Sequence, residues 1–304
     1  MLFLNYWQNC VAESLAFSNL RYFWYWCCMD SKKINQRKAG FSPAKQEFLM
    51  NKIVGVLGVL AGLCGLHLHA DAQPYVAMNQ GASPGITANM KRVEDRVKEE
   101  FAKIGLNWPV KEVYLRSFKY DGQLELWARN SDTMPFQLFK KYKVCAMAGA
   151  MGPKRIEGDF QVPEGFYRIT EFNPRSQYHL SLKLNYPNES DRMLSDQVSP
   201  GGHIYIHGSC VTVGCIPLRD EQIEEVFLIA SAAKSSGQDY IPVHIFPVDF
   251  NNKKSMTYLY KTTVQDPVLQ HFEIGLKEAY DYFNQNRQLP LIGINTKGDY
   301  AILN

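Results

Sequence analysis

Two histidines and two cysteines lie within thirteen consecutive positions of the chain. The segment runs from His203 to Cys215 and also contains His207 and Cys210. A thiolate is the reactive form of cysteine, and a free thiol of pKa about 8.5 is mostly protonated at neutral pH. Nucleophilic catalysis by cysteine therefore needs a neighbouring imidazole that takes the proton. This pattern predicts Cys215 as a nucleophile and His207 as its base.

The residues around these two side chains suit that chemistry. Cys215 follows Gly214 and is soon followed by Asp220, where a helix is expected to begin. Backbone N–H groups near Cys215 are therefore candidates for an oxyanion site. His207 ends a predicted strand just before Gly208, and a glycine there lets the backbone turn and lets a substrate approach.

Two other interpretations of the cluster remain open. The spacing His-x3-His-x2-Cys-x4-Cys supplies four ligands of the types that zinc binds, although structural zinc sites usually take their ligand pairs from two separate segments. In the other interpretation the histidines belong to the core and the cysteines form a disulfide, either Cys210–Cys215 or Cys145–Cys210. A bridge through Cys215 would abolish catalysis by that residue, whereas a Cys145–Cys210 bridge is compatible with it.

The N-terminal part of the chain contains a stretch with the anatomy of an export signal. From Met50 the sequence has a short charged start, an apolar stretch over 53–66 that is too short to span a bilayer, and then Ala70-Asp71-Ala72. Together these are typical of a secretory signal peptide. Because such a signal must begin the chain, we predict that translation starts at Met50, that residues 1–49 are an upstream extension, and that residues 50–72 are removed.

Removal of residues 1–72 changes the meaning of the cysteine count. Three of the seven cysteines remain, Cys145, Cys210 and Cys215. An odd number in an exported protein leaves one free thiol or an intermolecular bridge, in a compartment where disulfides form readily. A free thiol there needs an explanation, and nucleophilic catalysis supplies one.

Length, composition and charge exclude several classes of protein. The chain has 304 residues, of which 46% are hydrophobic and 21% charged, which is ordinary globular usage and argues against a disordered, collagen-like or multi-span membrane protein. The formal net charge of +3 is too small to indicate the clustered basic surface of a nucleic-acid-binding protein. We therefore expect no nucleic-acid partner and no membrane span in the mature form.

The hydrophobic pattern predicts the elements that position the cluster. Apolar residues three and four apart predict helices over 90–104, 221–231 and 266–284. Alternating or short apolar runs predict strands over 112–117, 123–129, 142–147, 165–171, 178–184, 204–207 and 239–246. Strands and helices without regular βαβ alternation predict an α+β fold with a mixed or antiparallel sheet as its core and flanking helices.

This pattern also suggests a division of the mature chain. We expect residues 73–110 to form a lead-in and an N-terminal helix, residues 111–250 a central domain that contains the segment from His203 to Cys215, and residues 251–304 a C-terminal helical extension.

The segment around Cys215 resembles the active-site motif of the L,D-transpeptidase catalytic domain, the YkuD-type family of cysteine enzymes that act on peptidoglycan, and in particular its YafK-like branch. The family pattern is His-Gly, a variable spacer and then Ser/Thr-His-Gly-Cys. Here the matching positions are His207-Gly208 and Thr212-Val213-Gly214-Cys215. Further blocks match the branch in the right order over about 111–247: Gly152-Pro153-Lys154, Gly158-Asp159, 163–168, 181–188 and Asp191.

Three features depart from the general family pattern. Val213 stands where most members have a second histidine, and Pro217 where many have an arginine. The spacer between Gly208 and Thr212 is short, as is usual in the YafK-like branch. The resemblance therefore transfers to Cys215 and His207, and it transfers no role that the missing histidine and arginine have elsewhere.

The resemblance implies a mechanism that needs neither a metal nor an organic cofactor. Cys215 would attack the carbonyl of an L-to-D peptide bond in a stem peptide, with His207 as the base and then as the acid for the leaving amine. Gly214 and adjacent N–H groups would hold the oxyanion, and Thr212 would orient the loop or the histidine. The acyl-enzyme would pass to an amine, giving a cross-link or an attached protein, or to water.

The partners and the location follow from the same resemblance. The partners are the stem peptides of peptidoglycan and a protein linked to the wall. The location is the periplasm, which the export signal also predicts. Because the YafK-like branch includes hydrolases that detach proteins from the wall, hydrolysis is an equal alternative to transpeptidation. The alternative from a different class is a non-catalytic envelope-binding protein that has kept the fold.

Four more residues are candidates for substrate binding. Arg116, Lys154 and Arg168 would bind the carboxylates of a stem peptide, and Tyr205 would line the groove. Each has a plainer alternative, since a basic residue beside a strand usually belongs to a solvated face and a tyrosine usually packs in the core or at its rim.

Overall fold

The structure is a computed structural model and describes residues 84–303, which lie within one compact unit of the chain. The predicted extension 1–49, the predicted signal peptide 50–72 and the first part of the lead-in lie outside these residues. Among the helices of residues 84–303, none is both long and apolar enough to cross a membrane.

The described chain contains ten strands and five helices. The strands are β1 Glu112–Phe118, β2 Gln123–Arg129, β3 Gln137–Lys143, β4 Gly165–Asn173, β5 Ser181–Leu184, β6 Tyr205–His207, β7 Ile216–Pro217, β8 Pro242–Phe246, β9 Leu291–Ile294 and β10 Tyr300–Leu303. The helices are α1 Pro84–Lys103, α2 Glu189–Leu194, α3 Asp220–Ser235, α4 Lys253–Thr263 and α5 Pro267–Asn286.

Eight of the strands form one mixed sheet in the order β3-β2-β1-β8-β4-β5-β6-β7. The pairs β1–β8 and β6–β7 are parallel, and the other neighbours are antiparallel. Together with the flanking helices this arrangement confirms the predicted α+β fold with a mixed sheet. The segment that carries the predicted nucleophile lies at the β6–β7 end of this sheet.

The sheet is covered on both faces, as β1 shows. Val113 and Leu115 belong to one large apolar core, to which α1 and α3 contribute their buried faces. Tyr114 and Phe118 point to the other face, because side chains alternate along a strand, and their rings pack against aromatic residues of α5. Polar residues of β1 are therefore enclosed as well.

Several predicted elements have different ends in the structure, among them the strand predicted over 239–246, which begins at Pro242. The helix predicted over 90–104 begins earlier, at Pro84. The strand predicted over 142–147 lies at Gln137–Lys143, because β3 takes its register from β2 and the apolar residues that follow leave the sheet. The strand predicted over 178–184 begins only at Ser181, because His179 has a left-handed backbone conformation with φ 70°.

The C-terminal part, predicted as a helical extension, also contains strands. Helices α4 and α5 are followed by the antiparallel hairpin β9–β10. Its Tyr300 packs edge-to-face on Phe166 of β4 with ring centroids 4.6 Å apart, and its hydroxyl accepts a hydrogen bond of 2.7 Å from the side chain of Asn188. The two strands have four residues each and are only partly buried, so their apolar pattern is too short to predict them.

Candidate active site

The parallel pairing of β6 and β7 brings the predicted base and nucleophile to one face of the sheet. Ile206 lies opposite Ile216, and both are fully buried on the core side. Alternation then places His207 and Cys215 on the other face. Since neighbouring strands are about 4.8 Å apart and two residues rise about 6.6 Å, the two Cα atoms are roughly 8 Å apart.

His207 is held in one tautomer by the backbone. Its side chain is buried, and its Nδ1 lies 2.6 Å from the carbonyl oxygen of Gly208. A carbonyl oxygen only accepts hydrogen bonds, so Nδ1 carries the proton and donates it, which leaves Nε2 as the basic atom of the neutral ring. Burial lowers the pKa of His207, partly offset by the bond to Gly208, so the ring is neutral at neutral pH.

Cys215 is half-buried and is the one free cysteine among residues 84–303. Its Sγ donates a weak hydrogen bond to the carbonyl oxygen of His203 at 3.6 Å. Burial raises the pKa of the thiol, and a backbone hydrogen bond with Tyr205 opposes that rise. No hydrogen bond within the described residues joins Cys215 to His207. The resting pair is therefore a neutral thiol and a neutral imidazole.

Thr212 closes the turn that leads to the cysteine. Its Oγ1 accepts hydrogen bonds from the N–H groups of Gly214 at 3.0 Å and Cys215 at 2.7 Å, and it donates to the carbonyl oxygen of Cys215 at 2.8 Å. The predicted loop-orienting role of Thr212 thus has a geometric basis. The two N–H groups expected to hold an oxyanion are both directed at Thr212 instead, so they would have to leave it to serve that role.

Two glycines of the motif are required by close contacts. A Cβ on Gly208 would lie 2.6 Å from Asp220 Oδ1 and 2.9 Å from the carbonyl oxygen of Tyr178. Gly214 has φ +140°, and a Cβ there would lie 3.1 Å from the carbonyl oxygen of Gln161. Any other residue at either position would strain or displace the loop between His207 and Cys215.

A disulfide joins Cys145 to Cys210. It decides between the two bridges that the sequence allowed, and it leaves Cys215 free. Cys210 is no longer a thiolate, so the four-ligand zinc set loses a member. The bridge fastens the loop before Cys215 to the segment after β3, where Cys145 N–H also donates to the carbonyl oxygen of Pro217 at 2.9 Å.

The structure does not bring Arg116 to this site. It lies on β1, which three strands separate from β6 in the sheet, and only 5% of it is exposed. Its Nε donates to Glu125 at 2.5 Å, and its guanidinium lies over the rings of four aromatic residues. The alternation along β1 turns this side chain toward α5, which gives it the role of an interior ion pair.

The other three substrate-binding candidates have different surroundings. Lys154 is buried, and its ammonium group is paired with Asp159 and bonded to the carbonyl oxygen of Ile156. Arg168 is exposed, with its guanidinium 5.9 Å from the ring centre of Tyr240. Tyr205 is half-buried, and its backbone bonds to Cys215, so it alone of the four lies directly beside the predicted nucleophile.

Sequence reasoning missed the segment that covers His207. The ring of Tyr178 lies against the imidazole, with centroids 4.8 Å apart. His179 is partly buried, and its Nε2 lies 2.7 Å from Glu224 Oε1. Alternation predicted a regular strand over 178–184, and the left-handed backbone at His179 interrupts it. The periodicity therefore gives no sign that Tyr178 and His179 contact other segments.

The valine that replaces the family's second histidine is open to solvent. Val213 is 71% exposed, and the neighbouring Val211 is also exposed. The turn before Cys215 thus carries an exposed apolar side chain at position 213, where most family members have an imidazole.

Comparison with known proteins agrees with the motif. Residues 123–245 match the family YkuD, the L,D-transpeptidase catalytic domain. The chain is 31% identical over 192 residues, which is 62% of this chain and 73% of the relative, to the Escherichia coli (strain K12) protein named "Putative L,D-transpeptidase YafK". The protein of the same name from Escherichia coli O157:H7 matches with the same figures.

Solved structures share parts of this chain at low identity. The helical cell shape determining protein Pgp2 from Campylobacter jejuni is 19% identical and matches with a TM-score of 0.35 over 66% of this chain and 80% of that one. A mutant of Pgp2 is 22% identical with a TM-score of 0.35, over 51% of this chain and 57% of that one. Bd1075 from Bdellovibrio bacteriovorus is 18% identical with a TM-score of 0.34, over 62% and 78%.

Proposed function

The chain belongs to the L,D-transpeptidase (YkuD) family, and we propose that it is a cysteine enzyme that acts on the stem peptides of peptidoglycan. Its nucleophile is Cys215 and its base is His207. The observation that supports the proposal is the β6–β7 register, because alternation along the chain puts the free thiol of Cys215 on the same face as the His207 imidazole, whose Nδ1 is bound to Gly208.

In the first step Cys215 Sγ attacks the carbonyl carbon of an L-to-D peptide bond. The thiol proton passes to His207 Nε2, the C–S bond forms, and the electron pair of the carbonyl bond moves to its oxygen. The tetrahedral intermediate then collapses, its C–N bond breaks, and His207 returns the proton to the leaving amine. The product is an acyl-enzyme thioester at Cys215.

The shifted pKa values of the pair keep it neutral at rest and oppose proton transfer before a substrate binds. Burial disfavours both charged forms, so the thiolate and the imidazolium exist together only while the substrate is attacked. When the ring becomes positive, its Nδ1–H bond to the Gly208 oxygen strengthens, because a hydrogen bond from a charged donor is stronger than a neutral one. The backbone thus favours the charged ring in the transition state.

The second step transfers the acyl group to an acceptor. An amine acceptor gives a cross-link or an attached protein, and this is the reaction in the family's name. Water gives hydrolysis, and the partial exposure of Cys215 beside the exposed Val213 favours this outcome as a competing reaction.

We place the mature protein in the periplasm. The predicted signal peptide over 50–72 supports this location. So does the Cys145–Cys210 disulfide, because such bonds form and persist in oxidising compartments such as the bacterial periplasm.

The test is the muropeptide profile of isolated peptidoglycan, followed by mass spectrometry. The purified protein is incubated with sacculi that carry wall-linked protein, and the Cys215→Ala variant is treated in the same way. We expect new cross-links or shortened stems with Cys215 intact, and an adduct of the acyl group on the peptide that contains Cys215. Identical profiles for both proteins would instead support a non-catalytic envelope-binding protein.

The same profile separates the two second steps. New linkages between stems or to protein indicate transfer to an amine. Shortened stems or released protein without new linkages indicate hydrolysis.

A further inference from the structure

One face of the His207 imidazole is covered by a tyrosine from outside the family motif. The rings of Tyr178 and His207 have centroids 4.8 Å apart and planes tilted by 37°. Tyr178 is 47% exposed, whereas His207 is buried. The tyrosine is therefore the solvent-facing member of this pair of rings.

The backbone of the same segment holds the residue that follows the base. Gly208 N–H donates to the carbonyl oxygens of Tyr178 at 3.0 Å and Leu180 at 3.2 Å. The carbonyl oxygen of Gly208 accepts a hydrogen bond from His207 Nδ1. The position of Tyr178 is thus tied to the residue whose carbonyl group orients the imidazole.

Two helices fix this segment in turn. The side chain of His179 lies 2.7 Å from Glu224 of α3, whose carboxylate is buried. The other oxygen of Glu224 accepts a hydrogen bond from Asn89 of α1. Because His179 has a left-handed backbone, its side chain reaches α3 while the preceding residue, Tyr178, lies against His207.

We propose that Tyr178 is a positioning residue for the base. Its ring holds the His207 imidazole in place and stabilises the imidazolium that forms when the Cys215 thiol gives up its proton. The face of an aromatic ring attracts a cation, and this attraction increases where water is excluded. The inference rests on the proposed function, in which His207 takes that proton.

The charged and titratable groups around His207 each have another partner. Asp220 Oδ1, from α3, accepts the N–H of Ser209 at 2.8 Å. His179 and Glu224 are paired with each other. A change at Tyr178 that keeps the backbone therefore acts on the pair of His207 and Cys215 rather than on these groups.

The test is the rate at which iodoacetamide alkylates Cys215, measured from pH 5 to 9. The rate is read by mass spectrometry on the peptide that contains Cys215, so other thiols do not interfere. Tyr178→Leu keeps the imidazole covered but removes the aromatic face, and Tyr178→Phe keeps the face. We expect the leucine variant to be alkylated about fivefold more slowly at pH 7 and the phenylalanine variant to stay within about twofold of the unchanged protein.

Two controls make the result specific. Tyr260→Leu changes an exposed tyrosine of α4, far from the motif in sequence, and is expected to leave the alkylation profile unchanged. Thermal unfolding of the leucine variant shows whether it is folded. A Tyr178→Leu profile equal to that of the unchanged protein would overturn the proposal, and so would a Tyr178→Phe variant as slow as the leucine variant.

His207→Asn distinguishes this proposal from the function on which it rests. If His207→Asn leaves the alkylation rate unchanged, His207 is not the base and the proposed mechanism fails. If His207→Asn slows alkylation while Tyr178→Leu does not, the mechanism stands and only the role of Tyr178 fails.

Discussion

Two clusters of polar side chains in this protein each contain a buried histidine on a strand. They differ in how many of their polar groups already have hydrogen-bond partners within the fold. The outer cluster, at β6 and β7, is His207, Cys215 and Thr212. The inner cluster, between the sheet and α5, is Arg116, Glu125 and His244.

In the inner cluster the polar groups satisfy one another. Arg116 donates to Glu125 at 2.5 Å, and His244 Nδ1 lies 2.9 Å from the hydroxyl of Tyr114. Burial would raise the pKa of Glu125, but Arg116 and the hydrogen bonds to the carboxylate lower it overall. Burial, aided by Arg116, lowers the pKa of His244 to about 3. These side chains stabilise the fold.

In the outer cluster the structure satisfies only some of the groups. His207 Nδ1 and the Gly214 and Cys215 N–H groups have backbone or side-chain partners, while the Cys215 sulfur bonds, among the described residues, only to backbone groups of His203 and Tyr205. The same residue types therefore act differently according to what remains available on an accessible face. The comparison teaches that a buried histidine can complete an interior network or stand beside a free thiol, and that its neighbours decide which.

The largest expected effect is a loss of activity at Cys215 that leaves the stability of the protein unchanged. Cys215→Ser keeps the shape of the side chain but replaces the thiol by a much weaker nucleophile. We expect turnover of stem peptides to fall by about 10³-fold or more. The melting temperature should stay close to that of the unchanged protein, because Cys215 is only half-buried and serine can keep its hydrogen bonds to the backbone of His203 and Tyr205. A turnover loss that merely follows a loss of folded protein would contradict the assignment.

The second prediction reverses the pattern in the inner cluster. Arg116→Met leaves Glu125 buried without its main cation, so we expect the free energy of unfolding to fall by about 3 kcal/mol or more, measured by urea denaturation. Replacing Glu125 by Gln in the same protein should recover part of this loss. Activity per folded molecule should be unchanged, and a lower kcat/KM in a fully folded variant would return Arg116 to the substrate site.

The third prediction concerns pH and the inner histidine. An unfolded histidine titrates near pH 6.5, whereas the pKa of folded His244 is about 3. Between these values the unfolded state binds a proton that the folded state does not, so the free energy of unfolding falls as the pH falls through this window. His244→Gln should reduce that slope in denaturation curves at pH 7, 5 and 4.

An exposed histidine supplies the control for this measurement. His271 lies on α5 with its side chain largely in solvent, so His271→Gln should leave the slope unchanged. The lowered pKa of His207 adds a contribution of the same sign, so some slope should remain in His244→Gln. An equal slope in both variants would mean that burial of His244 does not govern the acid response.

The smallest effect is expected at Thr212. Thr212→Val removes the acceptor of the Gly214 and Cys215 N–H groups, and Thr212→Ser keeps it. We expect about a tenfold lower kcat for the valine variant, because the lost hydrogen bonds, each worth about 1 kcal/mol, no longer hold the loop in place. We expect near-normal kcat for the serine variant. A higher kcat for Thr212→Val would show that Thr212 competes with an oxyanion for these donors.

Sequence patterns predicted helices and hairpins correctly where the apolar spacing of one continuous segment defines them. The helix over 266–284 and the hairpin over 112–129 follow from spacing alone, and both are present. The order His207-Gly208, Thr212 and Gly214-Cys215 also points to one site. The C-terminal hairpin was missed because its strands are short and half-exposed, so no apolar period develops.

Candidates chosen by charge alone were less successful. Arg116 and Lys154 look like surface cations in the sequence, yet both are buried and paired. Their partners Glu125 and Asp159 are close in the chain, but nothing in the sequence shows that helices and loops cover them. Tyr178 was missed because its proposed role depends on a ring contact with His207, which lies 29 positions away in the chain.

The sequence by itself determined the reactive residue types, their order and the family to which they belong, because these depend on chemistry and spacing within a few residues. The tertiary structure alone decided which cysteines pair, which charges are enclosed and which ring covers the base. These outcomes depend on strand register and on contacts between segments distant in the chain. A one-residue shift in register would place His207 in the core, and the pattern of letters would be the same.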